Sequence, residues 1–146
     1  MNLYIKGMAR GTKGCCAFCI KEQGDVTGKT FDGIMPTKGG GVPLIDGKAM
    51  YQTELYALVW GMAVIPKDQE IKVWTNSTVI KAWITNMQAP EAYKPLFDIF
   101  LQLWDGRRID VEQVNIGQSK IMNKVRDKAL ELCEDIGIGL TQNKKY

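Results

Sequence analysis

The sequence predicts an α/β fold in which helices pack on a mixed five-stranded sheet, with three antiparallel strands followed by parallel ones. Three short apolar segments joined by glycine-containing turns come first, and segments with helical spacing then alternate with two more strand-like segments. Turn-linked strands pair antiparallel, whereas a strand that follows a helix returns in parallel. With 146 residues the chain can bury one core. We expect one domain over residues 1–140 and a frayed polar tail at 141–146.

The first part of the chain predicts strands separated by glycine-rich turns. Residues 2–5 and 15–22 are segments of strand length, the second with an apolar run at 15–20, and residues 7–14 between them are rich in glycine. A second turn leads to a third strand near residues 29–35. Residues 36–47 contain several glycines but lack the ending of a phosphate-binding loop, so they are predicted to be a flexible connection.

The rest of the chain alternates between helix and strand. Residues 51–65 carry apolar side chains at helical spacing, and Pro66 ends the helix. The later elements are predicted as a strand at 71–74, a helix capped by Asn76 or Ser77, a short helix at 96–104, a strand at 111–114 and a helix at 121–136 that Gly137 stops.

Composition excludes several kinds of chemistry. The chain contains no histidine, which rules out Ser-His-Asp and Cys-His catalysis and zinc sites with imidazole ligands. Its formal net charge is +3. This small excess permits a polyanionic partner without requiring one.

The cysteines predict packing rather than metal or disulfide chemistry. Cys15, Cys16 and Cys19 crowd together, and Cys133 lies far away in the sequence. Cys16 and Cys19 have the spacing of a metal knuckle, but on a strand they face opposite sides and cannot ligate one ion. We therefore expect buried free thiols in a reducing, cytoplasmic compartment. No signal peptide or membrane-spanning run is visible, so no membrane partner is expected.

Four local motifs occur in chain order on the predicted elements. They are Lys6-Gly7 on the first strand, Gln52-Thr53-Glu54-Leu55 on the first helix, Thr75-Asn76-Ser77 after the fourth strand, and Asn123 with Asp127 followed by Ala129-Leu130 on the last helix. Together with the order of the elements, they resemble the type 1 ribonuclease H family over roughly residues 2–136. The resemblance implies a ribonuclease H-like fold.

The resemblance also implies a chemistry that this sequence matches only in part. The family cleaves the RNA strand of an RNA–DNA hybrid with two divalent ions held by four carboxylates. Glu54 and Asp127 match two of these carboxylates, whereas Asn76 and Lys6 stand where the family has aspartates. The family's mobile histidine would fall near residues 117–118, which are Gly and Gln.

Charge at these four positions argues against metal binding. Four carboxylates would supply about −4, but Lys6, Glu54, Asn76 and Asp127 sum to −1. A Lys6 ammonium beside Glu54 and Asp127 would act as an internal countercation in place of the metal. We therefore expect metal-dependent cleavage to be absent or very weak. No cofactor is expected, and Mg²⁺ or Mn²⁺ is implied only if residual nuclease activity exists.

Several polar residues are expected at a nucleic-acid surface because they lie on or beside these motifs. They are Arg10, Thr12, Lys13, Gln52, Ser77 and Asn123. Basic residues at a rim would attract phosphates with a strong dependence on salt.

Three functions remain open from the sequence. The first is a catalytically degenerate domain that binds nucleic acid, such as an RNA/DNA hybrid or RNA, or a protein partner. The second is an active metal-dependent ribonuclease H with an altered metal site. The third is a structural or inhibitory scaffold, either alone or as a homodimer. All three stay open because a fold alone does not fix function.

Overall fold

The structure is a computed structural model that describes residues 1–37 and 40–137. The polar tail predicted at residues 141–146 lies outside the described residues. The strands are β1 (Asn2–Arg10), β2 (Lys13–Ile20), β3 (Val26–Asp32), β4 (Ile34–Thr37), β5 (Gly40–Pro43), β6 (Ile71–Thr75) and β7 (Ile109–Gln113). The helices are α1 (Ala49–Val64), α2 (Thr78–Asn86), α3 (Lys94–Trp104) and α4 (Lys120–Asp135), with a short 3₁₀ turn at Glu91–Tyr93.

The main sheet confirms the predicted fold class. Its five strands lie in the order β3-β2-β1-β6-β7. β1 and β2 pair antiparallel, as do β2 and β3, whereas β6 is parallel to both β1 and β7. The mixed sheet with helices packed on it is the architecture that the sequence predicts.

β1 is longer than the sequence indicated. The glycine-rich stretch at residues 7–14 was expected to form a turn, but Gly7 pairs with Cys16 and Arg10 with Lys13 in the β1–β2 ladder. The turn itself is confined to residues 11–12, and Gly11 has a φ of +62° that favours glycine. Gly7 therefore serves within the strand, where its missing side chain matters for packing.

The predicted flexible connection at residues 36–47 is wrong in part. β4 and β5 form a separate two-stranded hairpin, with Met35 opposite Val42. After the hairpin, Gln52 Nε2 donates to the carbonyl of Pro43, and Gln52 Oε1 accepts from the Ile45 N–H, each at 2.8 Å. A side chain on α1 therefore fixes the segment that leads into the helix.

The sheet has a separate apolar core on each face. On one face, α1, α2 and α3 cover a large cluster that includes Leu3, Ile5, Leu58 and Phe100. On the other face, α4 packs on β1, β2 and β3 and forms a smaller cluster. Alternating side chains of the central strands thus supply both cores.

The prediction of four free thiols is wrong for two of them. Cys15 on β2 and Cys133 on α4 form a disulfide, with their Cα atoms 6.0 Å apart. Their separation of 118 residues concealed a pairing that only the docking of α4 creates. Cys16 and Cys19 are free and buried, and they face opposite cores, as the strand pattern predicted.

Membrane insertion through a helix finds no support in the described part of the chain. None of the helices within residues 1–37 and 40–137 is both long and apolar enough to cross a bilayer.

Candidate functional site

Three of the predicted site residues meet at one edge between β1, β6 and α1. Lys6 lies in the middle of β1, Asn76 directly follows β6, and Glu54 lies in the second turn of α1. Tyr4 pairs with Trp74 in the parallel ladder, so Lys6 and Asn76, each two residues further along, reach the same level of the sheet.

Gly7 allows α1 to approach β1 closely enough to deliver Glu54. A Cβ at Gly7 would lie 2.3 Å from the Glu54 backbone nitrogen and 2.6 Å from the Thr53 carbonyl carbon. No side chain fits there, so the strand and the helix touch through their backbones. This role of Gly7 was not predicted, although a glycine inside a strand is a sequence signal for close backbone approach.

Lys6 contacts both of the other side chains. Its Nζ lies 3.7 Å from Glu54 Oε1 and donates a hydrogen bond of 3.3 Å to Asn76 Oδ1. The Lys6 side chain is 13% exposed and that of Glu54 is 2% exposed. The predicted ion pair between Lys6 and Glu54 is therefore present, and it is largely shielded from water.

Burial dominates the electrostatics of Glu54. Desolvation raises the pKa of its carboxyl group above the ordinary value of 4.5, while the Lys6 ammonium and the Gly7 backbone amide oppose this shift. Glu54 Oε2 finds no hydrogen-bond partner among the described residues. The carboxylate thus depends on Lys6 for most of its compensation.

Asn76 is held by its neighbours in the chain. Thr75 is fully buried, and its Oγ1 accepts a hydrogen bond of 3.1 Å from the Ser77 N–H. Ser77 Oγ accepts from the Ile80 N–H at 3.2 Å and caps α2. The strand end and the helix start therefore fix the turn from which Asn76 reaches Lys6.

The two predicted site residues on α4 do not join this group. Asp127 is 64% exposed, and its Oδ1 accepts from Arg126 Nε at 2.9 Å. Asn123 Oδ1 accepts from the Gly117 N–H at 2.8 Å, which ties the helix to the preceding loop. Since Val125 and Ala129 point at the sheet, Asp127 lies on the opposite side of α4. Lys6 thus pairs with Glu54, and the structure gives it no ion pair with Asp127 within residues 1–37 and 40–137.

These residues do not fit the two metal ions of the family. The site's one buried carboxylate and its one amide oxygen are both engaged by Lys6. The formal charge of Lys6, Glu54 and Asn76 is zero, whereas Mg²⁺ needs anionic ligands to displace its waters. No cluster of three or more acidic, cysteine or histidine side chains that could hold a metal occurs in the described part of the chain.

The residues predicted to contact nucleic acid divide into two groups. Arg10, Thr12 and Lys13 are exposed at the β1–β2 turn. Gln52 is 1% exposed and has both ends of its amide bonded to backbone, so it presents no free group to a ligand. Ser77 and Asn123 are partly buried, and their side chains bond to nearby backbone.

The comparisons with known proteins bear on the fold. No protein-family profile matches the chain, and no curated protein matches it in sequence. Among solved structures, the crystal structure of ribonuclease H1 from the halophilic archaeon Halobacterium salinarum NRC-1 is similar, with a TM-score of 0.59 and 14% sequence identity. The match covers 92% of this chain and 97% of that one. The chain therefore has a ribonuclease H-like fold.

Proposed function

We propose that this chain is a catalytically degenerate ribonuclease H-like domain that binds nucleic acid, an RNA/DNA hybrid or RNA, without cleaving it. The observation that carries the proposal is the Lys6 ammonium, which lies 3.7 Å from Glu54 Oε1 and 3.3 Å from Asn76 Oδ1. The ribonuclease H1 whose structure is similar supplies the expected class of ligand.

Loss of cleavage follows from the position of the ammonium. A divalent ion at this edge would have to displace Lys6 from Glu54 and would then face a positive charge at close range. Without a bound ion, activation of a water would fall to a side chain, and histidine, the commonest general base, is absent from the sequence. The Glu54 carboxylate is 2% exposed and paired with the Lys6 ammonium, so it is not placed to take a proton from a water.

Binding rests on the exposed basic turn. Arg10 and Lys13 flank the β1–β2 turn, with Thr12 at its tip. Cationic side chains there can contact phosphates and release counterions, so affinity would fall as salt rises. Each such contact should add about −1 to the slope of the logarithm of affinity against the logarithm of salt.

The test measures binding and cleavage of a fluorescently labelled RNA–DNA hybrid by the natural chain. We expect salt-dependent binding, unchanged by chelation of divalent ions, and no product with Mg²⁺ or Mn²⁺. Multiple turnover with Mn²⁺ would overturn the proposal in favour of an active nuclease. A lack of binding at low salt, together with a concentration-dependent mass, would instead favour a dimeric scaffold.

Matched lysine variants locate the binding surface. Lys13→Ala should weaken binding and lower the salt slope by about one. Lys67→Ala removes an exposed lysine between α1 and β6, and it should leave affinity unchanged. Equal losses in both variants would place the surface elsewhere.

A double substitution tests the degenerate site itself. Lys6→Asp with Asn76→Asp returns two carboxylates beside Glu54, so Mg²⁺ binding should become measurable by calorimetry. The natural chain should show none. Tight Mg²⁺ binding by the natural chain would contradict the assignment of Lys6 as the resident cation.

A further inference from the structure

The smaller core belongs to α4. Its buried side chains on the helix are Met122, Val125, Ala129 and Cys133, all at 0% exposure. They pack on Tyr4, Met8, Cys15, Ala17 and Cys19 of β1 and β2. No residue of α4 within the described residues belongs to the larger core.

This division makes α4 a separable unit. α4 is the last described helix, and it contacts β1, β2 and β3. Lifting it would expose the smaller core, while the sheet ladders and the helices on the other face would keep their contacts. Units of this kind open locally at a lower free energy than global unfolding.

The disulfide controls that opening. Cys133 lies in the last turn of α4 and is bonded to Cys15 on β2, and both residues are fully buried. We propose that α4 is a redox-latched cover: the bond keeps it on the sheet, and reduction lets it open while the rest of the fold stays intact.

Burial also protects the Cys15–Cys133 disulfide from reductants in solution. A dissolved dithiol cannot reach sulfur atoms that α4 and β2 cover, so reduction must wait for partial loosening of the helix end. Weakening the contacts of α4 should therefore accelerate reduction, whereas weakening the opposite core should not.

The chemistry of the latch balances with a dithiol as the reductant. One thiolate of the reagent attacks a protein sulfur, which forms a mixed disulfide and releases the other cysteine as a thiolate. The second reagent thiolate then displaces the first sulfur, so the reagent ends as a cyclic disulfide and both cysteines take up a proton. Cys15 Sγ lies 3.0 Å from the Ala129 carbonyl oxygen, so the new thiol can donate to it whenever α4 is closed.

Hydrogen exchange followed by mass spectrometry tests the latch on the full chain, oxidised and after dithiothreitol. We expect reduction to speed exchange in α4 on the order of 100-fold or more and to leave α1 nearly unchanged. Cys133→Ala should reproduce the reduced pattern without reductant. Cys19→Ala, which truncates a free cysteine on the same face, should keep the difference between the two states.

Three results would overturn the latch. The first is an intact mass that does not increase by two hydrogen atoms when the chain is reduced under denaturing conditions, which would mean that no disulfide forms. The second is equal acceleration in α1 and α4, which would mean that the molecule opens only as a whole. The third is an equal effect of the two cores on the rate of reduction. Ile84→Ala in the larger core would then accelerate reduction of the native chain as much as Met122→Ala in the smaller core.

Discussion

The two halves of the predicted site differ in how the fold treats their polar groups. At the edge of β1 and α1, Lys6 and Glu54 are shielded from water and bonded to each other. On α4, Asp127 is exposed and pairs with its chain neighbour Arg126. The first half is built by contacts between distant parts of the chain, whereas the second is satisfied locally.

This difference shows where the fold constrains chemistry. Lys6, Glu54 and Asn76 form the buried half of the predicted site. A buried carboxylate must have a partner, so a change at one of these positions requires a compensating group at another. An exposed carboxylate has water and therefore carries no such constraint. Substitutions in the two halves should therefore differ in their effect on stability.

Gly7→Ala should have the largest effect on stability, because it disrupts the backbone contact between β1 and α1 that positions Glu54. The new Cβ would lie 2.3 Å from the Glu54 backbone nitrogen, so β1 and α1 would have to separate. We expect a loss of about 3 kcal/mol or more in the free energy of unfolding, measured by urea denaturation.

Gly14→Ala provides the matched control for that substitution. Its Cβ would meet the Thr53 Cγ2 at 2.7 Å, and Thr53→Ser removes that methyl group. The second substitution should therefore rescue Gly14→Ala in part but should not rescue Gly7→Ala, where the obstacle is backbone. Equal rescue of both would contradict the close backbone contact at Gly7.

Lys6→Met should have the next largest effect, with a dependence on pH that identifies its cause. Without the ammonium, the pKa of Glu54 rises further above 4.5, because burial is no longer opposed by Lys6. The native state then holds this proton more tightly than the unfolded state does, so stability falls as pH rises from 4.5 through the folded pKa. We expect a loss of about 3 kcal/mol at pH near 8 and little loss at pH near 4.

The double variant Lys6→Met with Glu54→Met isolates the charge. Replacing both partners by apolar groups removes the unpaired carboxylate, so most of the lost stability should return. A double variant as unstable as Lys6→Met at pH near 8 would show that packing, rather than charge, made Lys6 important.

The buried half was the easier half to predict from sequence. Lys6, Glu54 and Asn76 lie on or beside a strand or helix whose position the fold class determines, so the motif order alone brought them together. Asp127 depended on the rotation of α4, and a motif match cannot supply that angle. Asp127 points away from the sheet because Val125 and Ala129 occupy the side of α4 that packs on it.

Other features were not predicted from the sequence because they depend on tertiary contacts. The Cys15–Cys133 bond joins residues 118 apart, and neither position has a local sequence signal for pairing. The β4–β5 hairpin contains Gly40 and Gly41, whose composition favours a loop, yet it pairs as strands. Gln52 carried a family motif, but the backbone of the preceding segment engages its amide.

Ser119→Ala and Ser77→Ala compare the two halves at the level of helix caps. Each hydroxyl accepts a backbone hydrogen bond of 3.2 Å at the start of its helix, so each substitution should cost about 1 kcal/mol. Ser77 also adjoins Asn76, so only Ser77→Ala should shift the carboxyl titration of Glu54 in NMR. A shift of the same size in Ser119→Ala would mean that α4 is coupled to the buried half.

Asp127→Asn should have the smallest effect, because water already surrounds the carboxylate. The pair with Arg126 joins adjacent residues on the surface of α4, and exposed pairs contribute about 0–1 kcal/mol. We expect a change within about 0.5 kcal/mol in the free energy of unfolding and no shift in the titration of Glu54. The same substitution would be severe if this carboxylate completed a site with Glu54, since a shared ion or proton would couple the two groups. A loss above about 1 kcal/mol, or a moved Glu54 titration, would therefore place Asp127 beside the buried half and contradict the rotation of α4 described above.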